Sequence, residues 1–153
     1  MNKSEDQLVS WIAAKFPHGD LPIGIGDDMA MLPSGTGASG LLATTDMLMD
    51  GVDFDASIHS PEQIGRKALA VNLSDCAAMA VRPRWALVGV ALPNSWSMEQ
   101  AQKLYLGIES LGREFDVQII GGDTNSWDRP LVISVTVLAE LWDAAMPAVR
   151  RCG

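Results

Sequence analysis

The chain has 153 residues, 48% of them hydrophobic and 20% charged, which suits one domain with its own apolar core and argues against disorder. Its formal net charge is -8, and its eleven Lys and Arg are scattered, which excludes a general nucleic-acid surface, because phosphate binding needs clustered cations. No stretch is long enough to span a bilayer, residues 1–16 hold Glu5 and Asp6 rather than a signal peptide's apolar run, and Cys76 and Cys152 form no CxxC pair, so a cytoplasmic protein without a disulfide framework or zinc site is expected.

In chain order, Ser4-Glu5-Asp6-Gln7 has the form of a capping box, and Leu8, Trp11, Ile12 and Phe16 follow at helical spacing until Pro17-His18-Gly19 ends the helix. Leu21–Asp28 is extended and glycine-punctuated, leading to the adjacent carboxylates Asp27 and Asp28. Gly35–Gly40 formally matches G-x-G-x-x-G. It follows Pro33-Ser34 and leads into a strand-like segment rather than opening a helix, so it reads as a surface loop, not a dinucleotide site. The strand-like Leu41–Thr45 ends at a Thr44-Thr45-Asp46 turn, and a loop holding Asp50, Asp53 and Asp55 follows.

Ser60-Pro61-Glu62-Gln63 opens a second helix with a capping Ser, Pro at the first helical position and Gln three residues after the cap, and Arg82-Pro83 stops it. This helix is made largely of small apolar residues and carries Asp75 within Asn72-Leu73-Ser74-Asp75. A carboxylate there must be paired, hydrogen-bonded, bound to a cation or kept neutral. Arg84–Leu92 reads as a strand, and a helix starts at Ser97 with Leu104, Ile108, Leu111 and Phe115 on one face. A strand over Val117–Ile120 ends in Gly121-Gly122-Asp123-Thr124, Asn125–Pro130 makes a turn, and Leu131–Leu138 alternates as a strand. The order predicts an α+β fold, a split βαβ pattern whose mixed or antiparallel sheet is covered by helices on one face.

Thirteen of the nineteen acidic residues are Asp, the shorter carboxylate favoured in turns and hard-cation sites. Asp28, Asp46, Asp75 and Asp123 are expected to converge at one edge of the sheet, with Thr44, Thr45 and Ser74 adding oxygens. Such a group would repel itself unless cations neutralised it, and its hard oxygen donors suit Mg²⁺ shared with substrate phosphates. Ca²⁺ storage is the competing reading, without EF-hand spacing to support it. Walker A, kinase Gly-rich and HRD motifs are all absent, so this is none of the common ATP-binding designs.

Taken together, Gly24–Asp28, Thr44–Asp46, Lys67–Asp75 with Ala77–Met79, and Ile120–Thr124 closely resemble the thiamine-monophosphate kinase family in order and spacing, over essentially the whole chain. The resemblance implies the N-terminal domain of the superfamily that includes aminoimidazole ribonucleotide synthetase and selenophosphate synthetase, in which two such domains pair their sheets into a homodimer. It implies residues 1–140 as an Mg-ATP-binding and dimerisation domain and 141–153 as the start of a linker to a C-terminal domain absent from this chain. By the same resemblance Asp28, Thr44, Thr45, Asp46, Asp75 and Asp123 look like ligands of a multi-Mg²⁺ cluster. Tyr105, Gly122, Asp123 and Arg151 look like ATP contacts, and Asp53 matches a substrate-contacting position that is often His in the family. The implied reaction is in-line transfer of the ATP γ-phosphoryl group to thiamine monophosphate, giving thiamine diphosphate, with no protein residue as general base. The alternatives are a related ATP-dependent synthetase with another acceptor, and a non-catalytic Mg-nucleotide-binding dimerisation module.

Overall fold

In the computed structural model, which describes residues 3–16, 21–25, 27–32 and 40–142, the elements run α1 (Lys3–Lys15), β1 (Ala30–Leu32), β2 (Leu41–Met49), α2 (Pro61–Ala78), β3 (Arg82–Pro93), α3 (Met98–Glu114), β4 (Gln118–Trp127) and β5 (Val132–Glu140). Local signals set both long helices. Ser60 and Gln63 exchange reciprocal side-chain and backbone hydrogen bonds at the start of α2, and Ser97 and Gln100 do the same for α3. Each pair satisfies two amides that a helix start leaves without partners.

The five strands form one mixed sheet in the order β1-β2-β5-β3-β4. β5 runs antiparallel to both β2 and β3, so β2 and β3 are parallel with β5 inserted between them, the split βαβ expected around α2. β3, α3 and β4 make a second unit whose strands are parallel neighbours. Along β5 the side chains of Ile133, Val135, Val137 and Ala139 are fully buried, and they face the layer of α2 and α3. The α+β architecture is therefore as the sequence predicts.

Three strand boundaries differ from expectation. Thr44–Asp46 is not a turn but the middle of β2, where Thr44 pairs with Val137 and Asp46 with Val135; the chain turns at Asp50-Gly51, where Gly51 takes a positive φ of 81°. Gly121–Thr124 is not a strand end either. β4 continues to Trp127 because its ladder with β3 pairs Gly121 with Leu87, Asp123 with Gly89 and Asn125 with Ala91, overriding weak strand propensity. Arg82-Pro83 does not itself stop the helix, which ends at Ala78 with Met79 as its C-cap and Ala80 at a positive φ of 53°; it opens β3, with the register shifting between Pro83 and Trp85, the kind of irregularity at which a strand accepts Pro. The short edge strand β1 was not expected. His18, Gly26 and Gly35–Ser39 lie outside the described residues. Leu8 and Trp11 of α1 and Phe16 just after it stay exposed, with the Trp11 and Phe16 rings edge to face at 6.1 Å.

The two long helices touch backbone to backbone. A Cβ added at Gly65 would stand 2.0 Å from the Leu104 carbonyl oxygen, and one at Gly107 would stand 2.1 Å from that of Glu62. Backbone cannot yield as a flexible side chain does, so Gly107→Ala should push α3 off α2 and destabilise the fold by about 2–3 kcal/mol. A urea denaturation midpoint equal to wild type would contradict this contact.

Candidate functional site

Strand alternation divides β2. Leu42, Thr44, Asp46 and Leu48 face the helices, whereas Thr45, Met47 and Met49 face the open side of the sheet. Thr44 is 8% exposed, and its hydroxyl donates to Asp75 Oδ2 at 2.7 Å. Asp75 lies in the last turn of α2, where the helix dipole is negative and a carboxylate is unfavourable without a donor or cation. Asp46 faces the same side two residues on. Burial, then the charges of Asp75 and Asp53, push its carboxyl above the ordinary value of 3.8. The small residues of α2 let helix and strand approach this closely. One turn before Asp75, Asn72 is fully buried and donates to the Ala68 carbonyl at 3.2 Å, while its Oδ1 has no partner among the described residues.

Asp53 is carried by the loop from β2 to α2. Its Oδ2 accepts the Met49 amide at 2.7 Å, its own amide donates to the Met49 carbonyl at 2.9 Å, and its carbonyl accepts from Lys67 Nζ. Phe54 anchors the loop in the core, and Asp50 Oδ1 accepts the Ala56 amide at 2.9 Å. Thr44, Asp46, Asp53 and Asp75 thus belong to one side of the molecule. Asp28 comes two residues before β1, whose first residue Ala30 pairs with Ala43, so the chain at Asp28 runs beside this part of β2.

The other candidates lie elsewhere. The Thr45 side chain points to the open face, where its hydroxyl accepts from Thr136 at 2.9 Å and lies 3.3 Å from the Val135 carbonyl. Asp123 shares that open face: it pairs with Gly89, accepts a hydrogen bond from Asn125 at 3.2 Å, and stands across three strand spacings from β2, roughly 14 Å. The four carboxylates therefore do not converge, and among the described residues no three acidic, His or Cys side chains gather as a metal site. Gly122, beside Asp123, has φ 153°, and a Cβ there would stand 1.8 Å from the Val88 carbonyl oxygen, so this backbone position admits only glycine. Tyr105 lies on the helix side, its hydroxyl 3.5 Å from that of Thr124, in an open groove of about 880 Å³ between α3 and the β3–β4 edge lined also by Trp96 and Leu106. Arg151 lies outside the described residues.

Chemically, the helix-side group offers carboxylate and hydroxyl oxygens, with burial and neighbouring charge disfavouring ionisation of Asp46. That donor set fits a hard divalent cation such as Mg²⁺. Cys76 adds nothing to it: burial and the neighbouring Asp75 charge push its thiol up to about 12, so it acts as a small buried side chain. Lys67 had no role in the sequence reading, although its place eight residues before Asp75 on the same side of α2 was readable.

Residues 26–141 match the family described as AIR synthase related protein, N-terminal domain, and the chain belongs to that family. Within it, the chain is similar to thiamine-monophosphate kinases. It is 39% identical over 124 residues to the Bacillus subtilis (strain 168) protein of that name, covering 81% of this chain and 38% of the relative. It is 43% identical over 122 residues to that of Rhodopirellula baltica, covering 76% and 39%. Its fold is similar to a solved structure described as AaThiL complexed with AMPPCP and TMP, with a TM-score of 0.80 and 30% identity over 92% of this chain and 44% of that one. It is likewise similar to thiamine monophosphate kinase from Aquifex aeolicus, with a TM-score of 0.75 and 29% identity over the same shares. The chain spans about two fifths of the length of the curated relatives it matches.

The raised Asp46 carboxyl has a sign that can be measured. A folded-state pKa above the ordinary value means that the fold binds this proton more tightly than the unfolded chain does, so ionisation costs stability as pH rises through the folded pKa. Asp46→Asn should therefore raise the melting temperature of the metal-free chain at pH 7, and the gain should vanish below pH 3.8, where Asp is protonated in both states. Differential scanning fluorimetry across pH checks this; a lower melting temperature at pH 7 would show that no such repulsion exists.

Proposed function

We propose that this chain is the N-terminal, Mg-nucleotide-binding part of a cytoplasmic, homodimeric ATP-dependent kinase that converts thiamine monophosphate to thiamine diphosphate. The observation that carries the reading is the Thr44–Asp75 hydrogen bond beside the crowded carboxyl of Asp46, in a chain similar to thiamine-monophosphate kinases. Asp46, Asp75 and Thr44 would hold Mg²⁺, with Asp28 alongside and Asp53 toward the acceptor. Bound there, Mg²⁺ would supply charge neutralisation between two phosphate-bearing reactants. The chain's own part is orientation: two carboxylates fixed on a helix and a strand, and a glycine at position 122, proposed as an ATP contact, whose close packing on the Val88 backbone fixes the β4 edge. A phosphate nucleophile needs no protein base, so none is assigned. Tyr105 and Arg151 complete the proposed ATP contacts.

The homodimer is supported by the open face of the sheet, where Met47, Met49 and Leu87 are exposed around the polar Thr45 and Asp123. A second copy laid on this face would bring those two residues to an intersubunit site. The division of carboxylates between two faces also favours a second reading, a nucleotide-binding dimerisation module without turnover of its own. Turnover by this chain alone would refute that module, and an ADP-release assay across acceptors separates the kinase from a synthetase with another acceptor.

Titration of the chain with Mg-AMPPCP should show binding that Asp75→Asn abolishes while the circular dichroism spectrum is retained. In the longer protein the same substitution should cut turnover on the order of 100-fold or more. Near-normal turnover of Asp75→Asn at saturating Mg²⁺ would overturn the assignment.

A further inference from the structure

Apart from Lys15 and Lys67, the Lys and Arg side chains described are matched to carboxylates. Arg66 pairs with Glu114, Arg82 and Arg84 with Asp116, Arg84 also with Glu140, Lys103 with Glu99, Arg113 with Glu109 and Arg129 with Asp128. Lys67 differs. It stands on the side of the molecule that carries Asp46, Asp53 and Asp75, yet its ammonium donates to a backbone carbonyl, that of Asp53.

We infer that Lys67 is a positioning residue that fixes the β2–α2 loop, and with it the Asp53 carboxylate, against the helix that carries Asp75. The inference rests on the reading of this side of the molecule as the phosphoryl-transfer site. Its geometry is independent of that reading. Lys67, Val71 and Asp75 follow at four-residue steps along α2, about 12 Å from first to last. That distance is comparable to the roughly 17 Å of β2 from Thr44 to Met49. Strand and helix run side by side in opposite chain directions, so that Thr44 meets Asp75 at one end and the loop meets Lys67 at the other.

The loop is tied to the residue before β5 by the Asp50 amide, which donates to the Leu131 carbonyl at 3.0 Å, and is otherwise closed on itself and on β2: Gly51 donates to the Phe54 carbonyl at 2.8 Å, Asp53 to the Met49 carbonyl at 2.9 Å, and Met49 to Asp53 Oδ2 at 2.7 Å. Among the described residues, and beyond the Ser60–Gln63 cap at the helix start, the Lys67 bond is the one side-chain hydrogen bond that ties the loop to α2. A charged donor on a peptide carbonyl is stronger than a neutral pair, and it leaves the Asp53 carboxylate available instead of neutralising it as an ion pair would.

The test uses Lys67→Met, which keeps most of the apolar stem, and Lys67→Arg, which restores a cationic donor. In the chain, amide hydrogen exchange at Gly51, Val52 and Asp53 should quicken about tenfold in Lys67→Met, as loss of one charge-assisted hydrogen bond implies. Exchange in β5 should stay unchanged, and Lys67→Arg should restore most of the protection. In the longer protein, KM for thiamine monophosphate should rise about tenfold in Lys67→Met, with kcat and KM for ATP within about twofold of wild type. Unchanged loop exchange, equal acceleration in β5, or a fall in kcat with unchanged KM would each overturn the assignment. A wild-type protein that binds Mg-AMPPCP but leaves thiamine monophosphate unphosphorylated would overturn the kinase reading instead, and the exchange data would still decide the role of Lys67.

Discussion

The hydrogen bond from Thr44 to Asp75 is the constraint around which the candidate site is arranged. It joins the middle of a strand to the last turn of a helix, the two kinds of element best able to hold side chains rigidly. Asp75 stands at the negative end of the α2 dipole and half out of water, so it requires a donor, and the buried Thr44 hydroxyl supplies one. Everything nearby inherits that arrangement. Small residues on α2 permit the approach, Asp46 shares the side of β2 that faces the helix, and the loop that returns from β2 to α2 must close over the same side.

The helices were legible because their signals are local. Two capping boxes fix the starts of α2 and α3 without reference to the rest of the chain. The order of elements was legible for the same reason, and it was enough to give a split βαβ unit around α2. Strand lengths were not. Thr44–Asp46 and Gly121–Thr124 contain residues that favour turns in isolation, and only pairing with β5 and β3, distant in sequence, makes them strand. The β1 edge is a comparable case, since three residues before a proline carry little signal of their own.

For the site, residue types were legible and faces were not. Thr44 and Thr45 are adjacent and chemically alike, but once they belong to a strand they must point to opposite sides of the sheet. Asp123 depends on a finer detail still, because the register between β3 and β4 shifts at Ala86 and Leu87, and that shift sets which face each later β4 residue takes. A gathering of four carboxylates was therefore a reasonable expectation from spacing, and the structure replaces it with two groups separated by the sheet. Lys67 was hidden for another reason: its partner is a backbone carbonyl, which no side-chain pattern reveals.

β4 has one further property. It is an edge strand ten residues long, with every residue but Ile119 exposed, and it carries a single charged side chain, Asp123. Long exposed edges invite pairing with other chains, and proteins guard them with charge, irregularity or a cover. Here the guards are the register shift, the glycine pair and that one carboxylate. Replacing Asp123 by a neutral residue would leave the ten-residue edge without any charged side chain, so protection of this edge against pairing with other chains rests on that carboxylate and the irregularity beside it.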